Sequence, residues 1–323
     1  MTSDTSVPVA RVRDLPDLLG VIPHLLGFHP EESMVLIVID NGRIELTARA
    51  DLGDLQPANH LELMIDRMLL RWPAAGMWLV AYAAEERAGW ALLRRGRKHL
   101  GDAMIGDPAC VSGGRYRVGD CWGPQFDHDP RSSAAAASAT LHGLQARPRR
   151  GMLAEQLRAD PGQAATVEAC WFRALQRAMP LDSSAWVREL LGALASALRD
   201  PAGLGPDELA WLGLLINHPQ ARDQAVLSLE PAAADSWVEL WSRVVRACPH
   251  GTQSQPLAVL ALAAWVNGNG ALQTVCLEEL EAQGVRPGLQ DMLEDLNEGI
   301  IPPSEWDDLR VRFRDLLEEA DAG

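Results

Sequence analysis

The chain has 323 residues, with 44 acidic and 29 basic side chains and a formal net charge of −15. Apolar residues make up 47% and charged residues 23%, which excludes intrinsic disorder, collagen-like repeats and a disulfide-stapled miniprotein. The length favours two domains over one.

The sequence does not indicate a membrane or secreted protein. The longest apolar run, 257–266, is about half of the roughly 18–20 residues that a membrane span needs. The segment 1–7 lacks the basic-then-apolar order of a signal peptide, and the scattered cysteines do not suggest a disulfide framework. We therefore expect a cytoplasmic location.

Charge is distributed unevenly along the chain. Residues 1–150 hold 18 acidic and 17 basic side chains, whereas residues 151–323 hold 26 acidic and 12 basic ones. This asymmetry predicts two different units, which we assign as domains at 1–146 and 147–323. A nucleic-acid partner is not expected, because duplex binding depends on clustered positive charge.

The first elements predict an α/β domain. Asp14 is an expected N-cap for a helix over 15–22, which Pro23 and Gly27 should end. The continuous β-branched run at 34–39 is typical of a strand buried on both faces. The turn sequence Asp-Asn-Gly that follows predicts a hairpin into a second strand over 44–52.

The rest of this part alternates between helix and strand, which predicts a mixed sheet with covering helices. We expect helices at 57–72 and 85–100, strands at 77–82, 103–105 and 116–118, a loop at 123–133, and a helix starting within 132–140. The helix at 85–100 ends in five basic residues: Arg94, Arg95, Arg97, Lys98 and His99. Cations suit a helix C-terminus, so we interpret this cluster as structural.

The second part predicts an all-α domain of helical hairpins. Apolar periodicity broken by Pro, Gly, Asp or Asn indicates ten helices, near 151–159, 163–178, 184–199, 206–217, 219–229, 232–247, 255–267, 270–283, 288–298 and 304–319. Since no segment recurs at a fixed period, a solenoid and an irregular bundle both remain open. The acidic run at 278–321 could dock a basic partner or simply form a solvated face.

The densest cluster of chemically active residues lies at 23–33, PHLLGFHPEES. His24, His29 and Glu31 could contribute to a metal site, and Ser33 could bind phosphate or act as a nucleophile. The competing interpretation is structural. Gly27 would then end the helix in a left-handed conformation, with the polar residues facing water.

Other candidates lie near predicted strands. Arg49 and Asp51 share one strand face and could pair with each other or bind a ligand. Gly113 and Gly114 could cradle an anion with help from Arg115, or form an ordinary turn between two strands.

The sequence predicts no metal centre or cofactor. Cys110, Cys121 and His128 lack the close spacing of a zinc site. A Walker loop, a dinucleotide fingerprint, a zinc-protease motif and a nucleophile elbow are all absent from the sequence.

Several segments that span nearly the whole chain form a recognisable pattern: 17–19, 23–33, 49–52, 114–116 with Cys121, 221–223, 264–265, Gly268, Gly270, Pro303 and Trp306. This pattern resembles an actinobacterial family, the domain of unknown function numbered four-one-nine-two. The family usually carries a Cys-Cys-Pro-x-x-Gly element after the cysteine, but this chain continues Trp-Gly-Pro. Any thiolate metal or redox role is therefore in doubt here, and the resemblance implies no activity.

Three functional hypotheses follow. The first is a non-catalytic protein-interaction or regulatory module, supported by the lack of a complete catalytic motif. The second is a hydrolase or nucleotide-handling enzyme with its site at the strand ends of the α/β domain. Its catalytic candidates are His24, His29, Glu31, Ser33 and Asp51, and its ligand-binding candidates are Arg49, Gly113, Gly114 and Arg115. The third is a structural homo-oligomer. A protein partner or self-association is expected, and a membrane is not.

Overall fold

The computed structural model describes residues 12–141, 144 and 146–322, with side chains described as far as residue 317. Contacts between Cα atoms divide the chain into two compact units, Met1–Arg150 and Gly151–Gly323. Whether these units are independent domains stays a prediction.

The first unit is built on a six-stranded mixed sheet in the order β2-β1-β3-β4-β5-β6. Its strands are β1 Ser33–Asp40, β2 Arg43–Asp51, β3 Gly76–Tyr82, β4 Ala109–Ser112, β5 Arg115–Val118 and β6 Gln125–Asp127. Strands β3 and β4 are parallel, and all other neighbours are antiparallel. The predicted hairpin is confirmed: Asn41 and Gly42 both have positive φ, as a two-residue turn between twisted strands requires.

Two helices cover one face of this sheet. Helix α2, His60–Arg71, connects β2 to β3, and α3, Glu86–Leu100, connects β3 to β4. Both connections move the same way across the sheet, so right-handed crossovers place both helices on one face. A Cβ on Gly96 of α3 would come within 2.7 Å of Leu79 on β3. The absence of a side chain there lets the helix lie close to the strand.

Helix α1, Leu15–Leu26, packs against α4, Ala134–Leu141, and contacts β2. Asp14 caps α1 as predicted by accepting from the Asp17 amide at 2.9 Å. The prediction that Pro23 helps to end this helix was wrong. Pro23 lies inside α1, where its missing N–H costs a single helical bond, and only Gly27 at φ 77° ends the helix.

Three further local differences lie later in this unit. The strand predicted at 103–105 is a 3-10 turn, Gly101–Ala103, followed by a single bridge between Met104 and Met77. The strand beside β3 is instead β4, which the sequence analysis left unassigned. The loop predicted at 123–133 contains β6 and a 3-10 turn, Pro130–Ser132. Strand β6 has only three residues, which is too short for an alternating pattern to show.

The second unit contains ten helices among its described residues, one in each predicted stretch. They are α5 Gly151–Leu157, α6 Ala164–Ala178, α7 Ser183–Ala197, α8 Pro206–Leu215, α9 Pro219–Leu227, α10 Ala234–Arg246, α11 Ser254–Val266, α12 Gly270–Gln283, α13 Gly288–Glu298 and α14 Trp306–Ala322. Helix α11 is buried along its length between α10 and α12. Helix α6 packs on α8 and α7 on α9, so neighbours here are not always consecutive as in simple hairpins.

Tryptophans fill much of the core of this unit. Trp241 is fully buried, and Trp211 and Trp265 are each only 4% exposed. Trp306 is also buried, and its indole N–H donates to the Leu229 carbonyl at 2.8 Å. Among the described residues, no helix is long and apolar enough to cross a membrane.

Candidate functional site

The segment 23–33 leads from the end of α1 into β1 and is held by backbone hydrogen bonds. Gly27 turns the chain, and Phe28 forms a parallel bridge with Arg147. The His29 amide donates to the Arg147 carbonyl at 2.9 Å, and the Arg147 amide donates to the Gly27 carbonyl at 2.8 Å. The structural role predicted for Gly27 is therefore confirmed. The hydrogen bonds that hold this segment are made by the backbone, so they do not use the imidazoles of His24 and His29.

His24 and His29 line one side of a pocket of about 240 Å³. Its other lining residues come from the Pro130–Ser132 turn, from α4 and from the segment after α4: Pro130, Arg131, Ala136, Ala137, Thr140 and Ala146. The walls are apolar apart from the two imidazoles, one guanidinium and one hydroxyl. This arrangement of a few polar groups in an apolar pocket is typical of small-molecule sites.

The polar groups of the pocket differ in how far they are already paired. The Nδ1 atom of His24 lies 2.8 Å from the Leu144 carbonyl oxygen, which can only accept, so Nδ1 carries the proton. The Thr140 hydroxyl donates to the Ala136 carbonyl at 3.0 Å. The Arg131 guanidinium lies 3.2 Å from the Asp129 carboxylate. His29 makes no side-chain hydrogen bond with any described residue.

Burial and neighbouring positive charge favour the neutral form of His29. Partial burial is the main cause that lowers the pKa of His29 below its ordinary value of 6.5, with contributions from His24 and Arg131. Glu31 acts in the opposite direction. Burial likewise lowers the pKa of the nearby His128, and His29 adds to this effect. At neutral pH the imidazoles of His29 and His128 are therefore predominantly uncharged.

The remaining candidates of this segment and of β2 lie outside the pocket lining. The Glu31 side chain is exposed, whereas Ser33 is fully buried and its Oγ has no hydrogen-bonding partner among the described residues. Arg49 and Asp51 form the predicted ion pair at 2.5 Å, and Arg49 also donates to the Glu31 carbonyl at 3.4 Å. The structure thus brings His24 and His29 together in the pocket lining, whereas Asp51 does not line the pocket and forms an ion pair with Arg49.

The Gly-Gly segment forms the turn between β4 and β5. Gly113 and Gly114 have φ values of 54° and 75°, and no atom lies near the position of an added Cβ on either. Arg115 is exposed and lies 3.5 Å from Asp127 on β6. These contacts account for all three residues as parts of a hairpin, and none of them lines the pocket.

The basic cluster at the end of α3 is largely paired with acidic side chains. Arg95 donates to both carboxylate oxygens of Glu62 at 3.0 and 2.7 Å, which joins α3 to α2. His99 lies 2.6 Å from Asp66, and Arg97 lies 3.4 Å from Asp107. These pairs support the structural interpretation of the cluster.

The comparisons with known proteins assign the chain to a family. The family model described as a domain of unknown function (DUF4192) matches residues 16–304. The chain belongs to this family. No curated protein matches it, and no solved structure does either.

The segment matched by the DUF4192 family model includes the residues that line the pocket and most of the helical unit. The description of the family names no activity. Within the described residues, no three His, Cys, Asp or Glu side chains are arranged to hold a metal ion. Burial raises the pKa of Cys110 to about 12, so this thiol stays protonated at neutral pH.

Sequence analysis missed the residues that complete the pocket. Arg131 and Thr140 lie more than 100 residues after His29, and the segment around Arg131 was predicted only as a loop. It also missed Glu32, whose carboxylate accepts from the Ala84 amide at 2.6 Å and whose carbonyl accepts from the Leu52 amide at 2.9 Å. The spacing of residues along the chain could not predict the approach of Arg131 and Thr140 to the pocket or the contacts of Glu32. In both cases the fold brings together residues that are distant in the sequence.

Proposed function

We propose that this member of the DUF4192 family is a non-catalytic regulatory module whose first unit binds a small molecule in the pocket of His24 and His29. The observation that carries the proposal is the pocket itself, which gathers two imidazoles, a guanidinium and a hydroxyl around an apolar floor. Its volume of about 240 Å³ lies below the usual range for drug-sized ligands, so the expected ligand is a small metabolite.

The non-catalytic part of the proposal is supported by how the former catalytic candidates are used. Asp51 pairs with Arg49, and Ser33 has no hydrogen-bonding partner that could serve as its base. Glu31 is exposed and does not line the pocket. A hydrolase is the second candidate function, favoured by one observation: the free imidazole of His29, with its lowered pKa, suits a general base near neutral pH.

The third candidate, a structural homo-oligomer, is favoured by the apolar surface of α6 and of the residue that follows it. Phe172 and Leu175 of α6 are 60% and 44% exposed, and Met179, which follows the helix, is 83% exposed. Exposed apolar clusters of this kind often mark protein contacts. We further propose a cytoplasmic protein of actinobacterial origin, supported by the scattered cysteines and by the arginine-rich composition typical of GC-rich genomes.

The first test is a thermal-unfolding screen of the full chain against small metabolites, with the mass in solution measured alongside. A ligand that binds only the folded state adds about 2.7 kcal/mol at 100 times its dissociation constant, which raises the melting temperature by several degrees. Ala137 is an exposed pocket residue, so Ala137→Phe should block the pocket without unfolding the chain.

The matched control is Ala134→Phe, an exposed position on the same helix that does not line the pocket. A ligand shift that Ala137→Phe removes and Ala134→Phe leaves intact supports the proposal. A shift that survives both substitutions places the ligand elsewhere and overturns it. Turnover of a hit compound that His29→Gln abolishes would replace the regulatory module with the hydrolase.

A further inference from the structure

We infer that the ligand of this pocket is a small anion whose carboxylate or phosphate group is held by His24, His29 and Arg131, and that a proton is taken up when it binds. The inference rests on the proposed function, since it names the chemical class of ligand for the same pocket.

The first argument is the charge of the lining. Among the described residues, the ionisable ones that line the pocket are all basic, namely His24, His29 and Arg131, and none of them is a carboxylate. This is unusual in a chain of formal net charge −15 with 44 acidic side chains. A basic lining in an acidic protein attracts anions locally, because charge within a partly buried pocket is screened less than on an open surface.

The second argument is the unused hydrogen-bonding capacity. The Nδ1–H of His24 is occupied by the Leu144 carbonyl, which leaves Nε2 as the ring atom available to a ligand. Neither ring nitrogen of His29 forms a hydrogen bond with a described residue. The Arg131 guanidinium donates its Nε–H to Asp129, and its terminal N–H groups donate to no residue in the described ranges. Protonated imidazoles and a guanidinium are donors, which an anionic oxygen matches.

Charged and titratable groups from several elements surround His29. From α1 comes His24, from the turn after β6 come Arg131 and Asp129, and from the end of β6 comes His128. Glu31 lies on the same segment as His29 and is, among the described residues, the acidic group that favours the charged form of His29. Asp129 is already paired with Arg131. The net charge of the groups around His29 is therefore positive. It opposes protonation of the imidazole until a bound anion adds negative charge.

The proton uptake follows from this balance. In the empty pocket, the neighbours and partial burial keep His29 largely neutral at pH 7. A bound carboxylate or phosphate favours the charged ring, so the imidazole takes a proton from solvent as the anion binds. Anion affinity should therefore rise as the pH falls from 7.5 to 6, by at most about tenfold per pH unit for one proton.

The experiment uses pairs of probes that differ in charge but little in size: glycerol 3-phosphate with glycerol, benzoate with benzamide, and acetate with acetamide. Calorimetric titration of the full chain gives the affinity of each. Repeating the titration in two buffers of different ionisation enthalpy gives the number of protons taken up. His29→Gln and Arg131→Gln are each expected to weaken anion binding by roughly tenfold or more, since each removes a charge-assisted hydrogen bond.

Arg115→Gln is the matched control, because Arg115 is an exposed arginine of the same unit paired with one aspartate, as Arg131 is. Binding of the anionic members with proton uptake, lost in His29→Gln but not in Arg115→Gln, is the expected result. Binding of the neutral members alone, blocked by Ala137→Phe, would overturn the anion assignment and leave the proposed function standing. Failure of every probe and of the metabolite screen would overturn both.

Discussion

His24 donates its Nδ1 proton to the main-chain oxygen of Leu144 across 2.8 Å, joining the last turn of α1 to a residue 120 positions later. The bond lies beside the parallel bridge between Phe28 and Arg147, so side chain and backbone fasten the same two segments. It also fixes which nitrogen of His24 is left for the pocket. One hydrogen bond thus supports both the fold and the proposed site.

Replacing His24 should therefore weaken the first unit. His24→Phe keeps an aromatic ring but loses the donor, and we expect the free energy of unfolding to fall by about 0.5–1.5 kcal/mol. The exposed Leu144 carbonyl can be rehydrated, which keeps the loss moderate. Urea denaturation measures the change. His250→Phe is the control, since His250 is exposed and makes no side-chain hydrogen bond or ion pair with any described residue. Equal losses in the two variants would contradict the structural role of His24.

The close approach of α1 to the start of α4 depends on Gly20. A Cβ at this position would lie 2.1 Å from Ser133 Oγ and 2.7 Å from its Cβ. The same Oγ accepts from the Ala136 amide at 2.9 Å, so a displaced Ser133 also loses a helix cap. Overpacking outweighs the helix propensity of alanine, and Gly20→Ala should reduce stability by about 1–2 kcal/mol.

Gly192 provides the opposite case. It lies in the interior of α7, and apart from the adjacent residues and the backbone of its own helix, no described atom lies within 4 Å of the position of an added Cβ. Gly192→Ala should therefore raise stability by about 0.5–1 kcal/mol through helix propensity alone. Thermal unfolding of both variants tests the pair. A stabilised Gly20→Ala protein would show that Ser133 can move aside without loss.

Local sequence predicted much of the fold because local chemistry determines much of it. Asp14 caps α1 and the Asn41-Gly42 turn closes the first hairpin, both within a few residues of the cause. The ten helices of the second unit follow from apolar periodicity broken by Pro and Gly. Strand β6 was missed because three exposed residues carry no pattern, and their partner strand β5 decides their conformation.

The candidate site was only half predicted for a related reason. His24 and His29 stand five residues apart, so their clustering is visible in the sequence. Arg131 and Thr140 reach the same pocket because α4 packs against α1, a contact between distant parts of the chain. The pairing of Arg49 with Asp51 was predictable because two residues of one strand face are neighbours whatever the fold.

Ser33 and Tyr82 bury hydroxyl groups without using them. They are opposite each other on β1 and β3, and neither oxygen forms a hydrogen bond with any residue that the structure describes. An unpaired buried hydroxyl costs free energy, so Ser33→Ala and Tyr82→Phe should be neutral or stabilising by up to about 1 kcal/mol. Chemical denaturation measures both. A loss of more than about 1 kcal/mol in either variant would mean that the hydroxyl has a hidden partner, such as an internal water.

The basic end of α3 offers a test within a single cluster. Arg95 holds Glu62 with two hydrogen bonds and donates to the Leu55 carbonyl at 3.1 Å, whereas Arg94 is exposed and has no partner among the described residues. Arg95→Met should lower stability by about 1 kcal/mol and Arg94→Met by much less. If the cluster instead bound nucleic acid, both variants would weaken binding to a DNA duplex; we expect no such binding in the parent chain.

The histidines around the pocket should make stability depend on pH in a specific window. The pKa values of His29 and His128 are lowered from 6.5 in the folded protein, so the unfolded chain holds more protons between those lowered values and 6.5. The free energy of unfolding therefore rises with pH across this window, by at most about 1.4 kcal/mol per pH unit for each histidine. This contribution to stability is lost as the pH falls through the window.

Urea denaturation at a series of pH values between 5 and 7.5 measures this slope. We expect His29→Gln and His128→Gln each to flatten it, because each substitution removes a group whose pKa is lowered by folding. Glu62 and Asp207 do not interfere, because their pKa values are lowered from 4.5 and 3.8 and their contributions are lost only at more acidic pH. An unaltered slope in both His29→Gln and His128→Gln would mean that the two imidazoles titrate alike in the folded and unfolded chains. It would also remove the basis for proton uptake on anion binding.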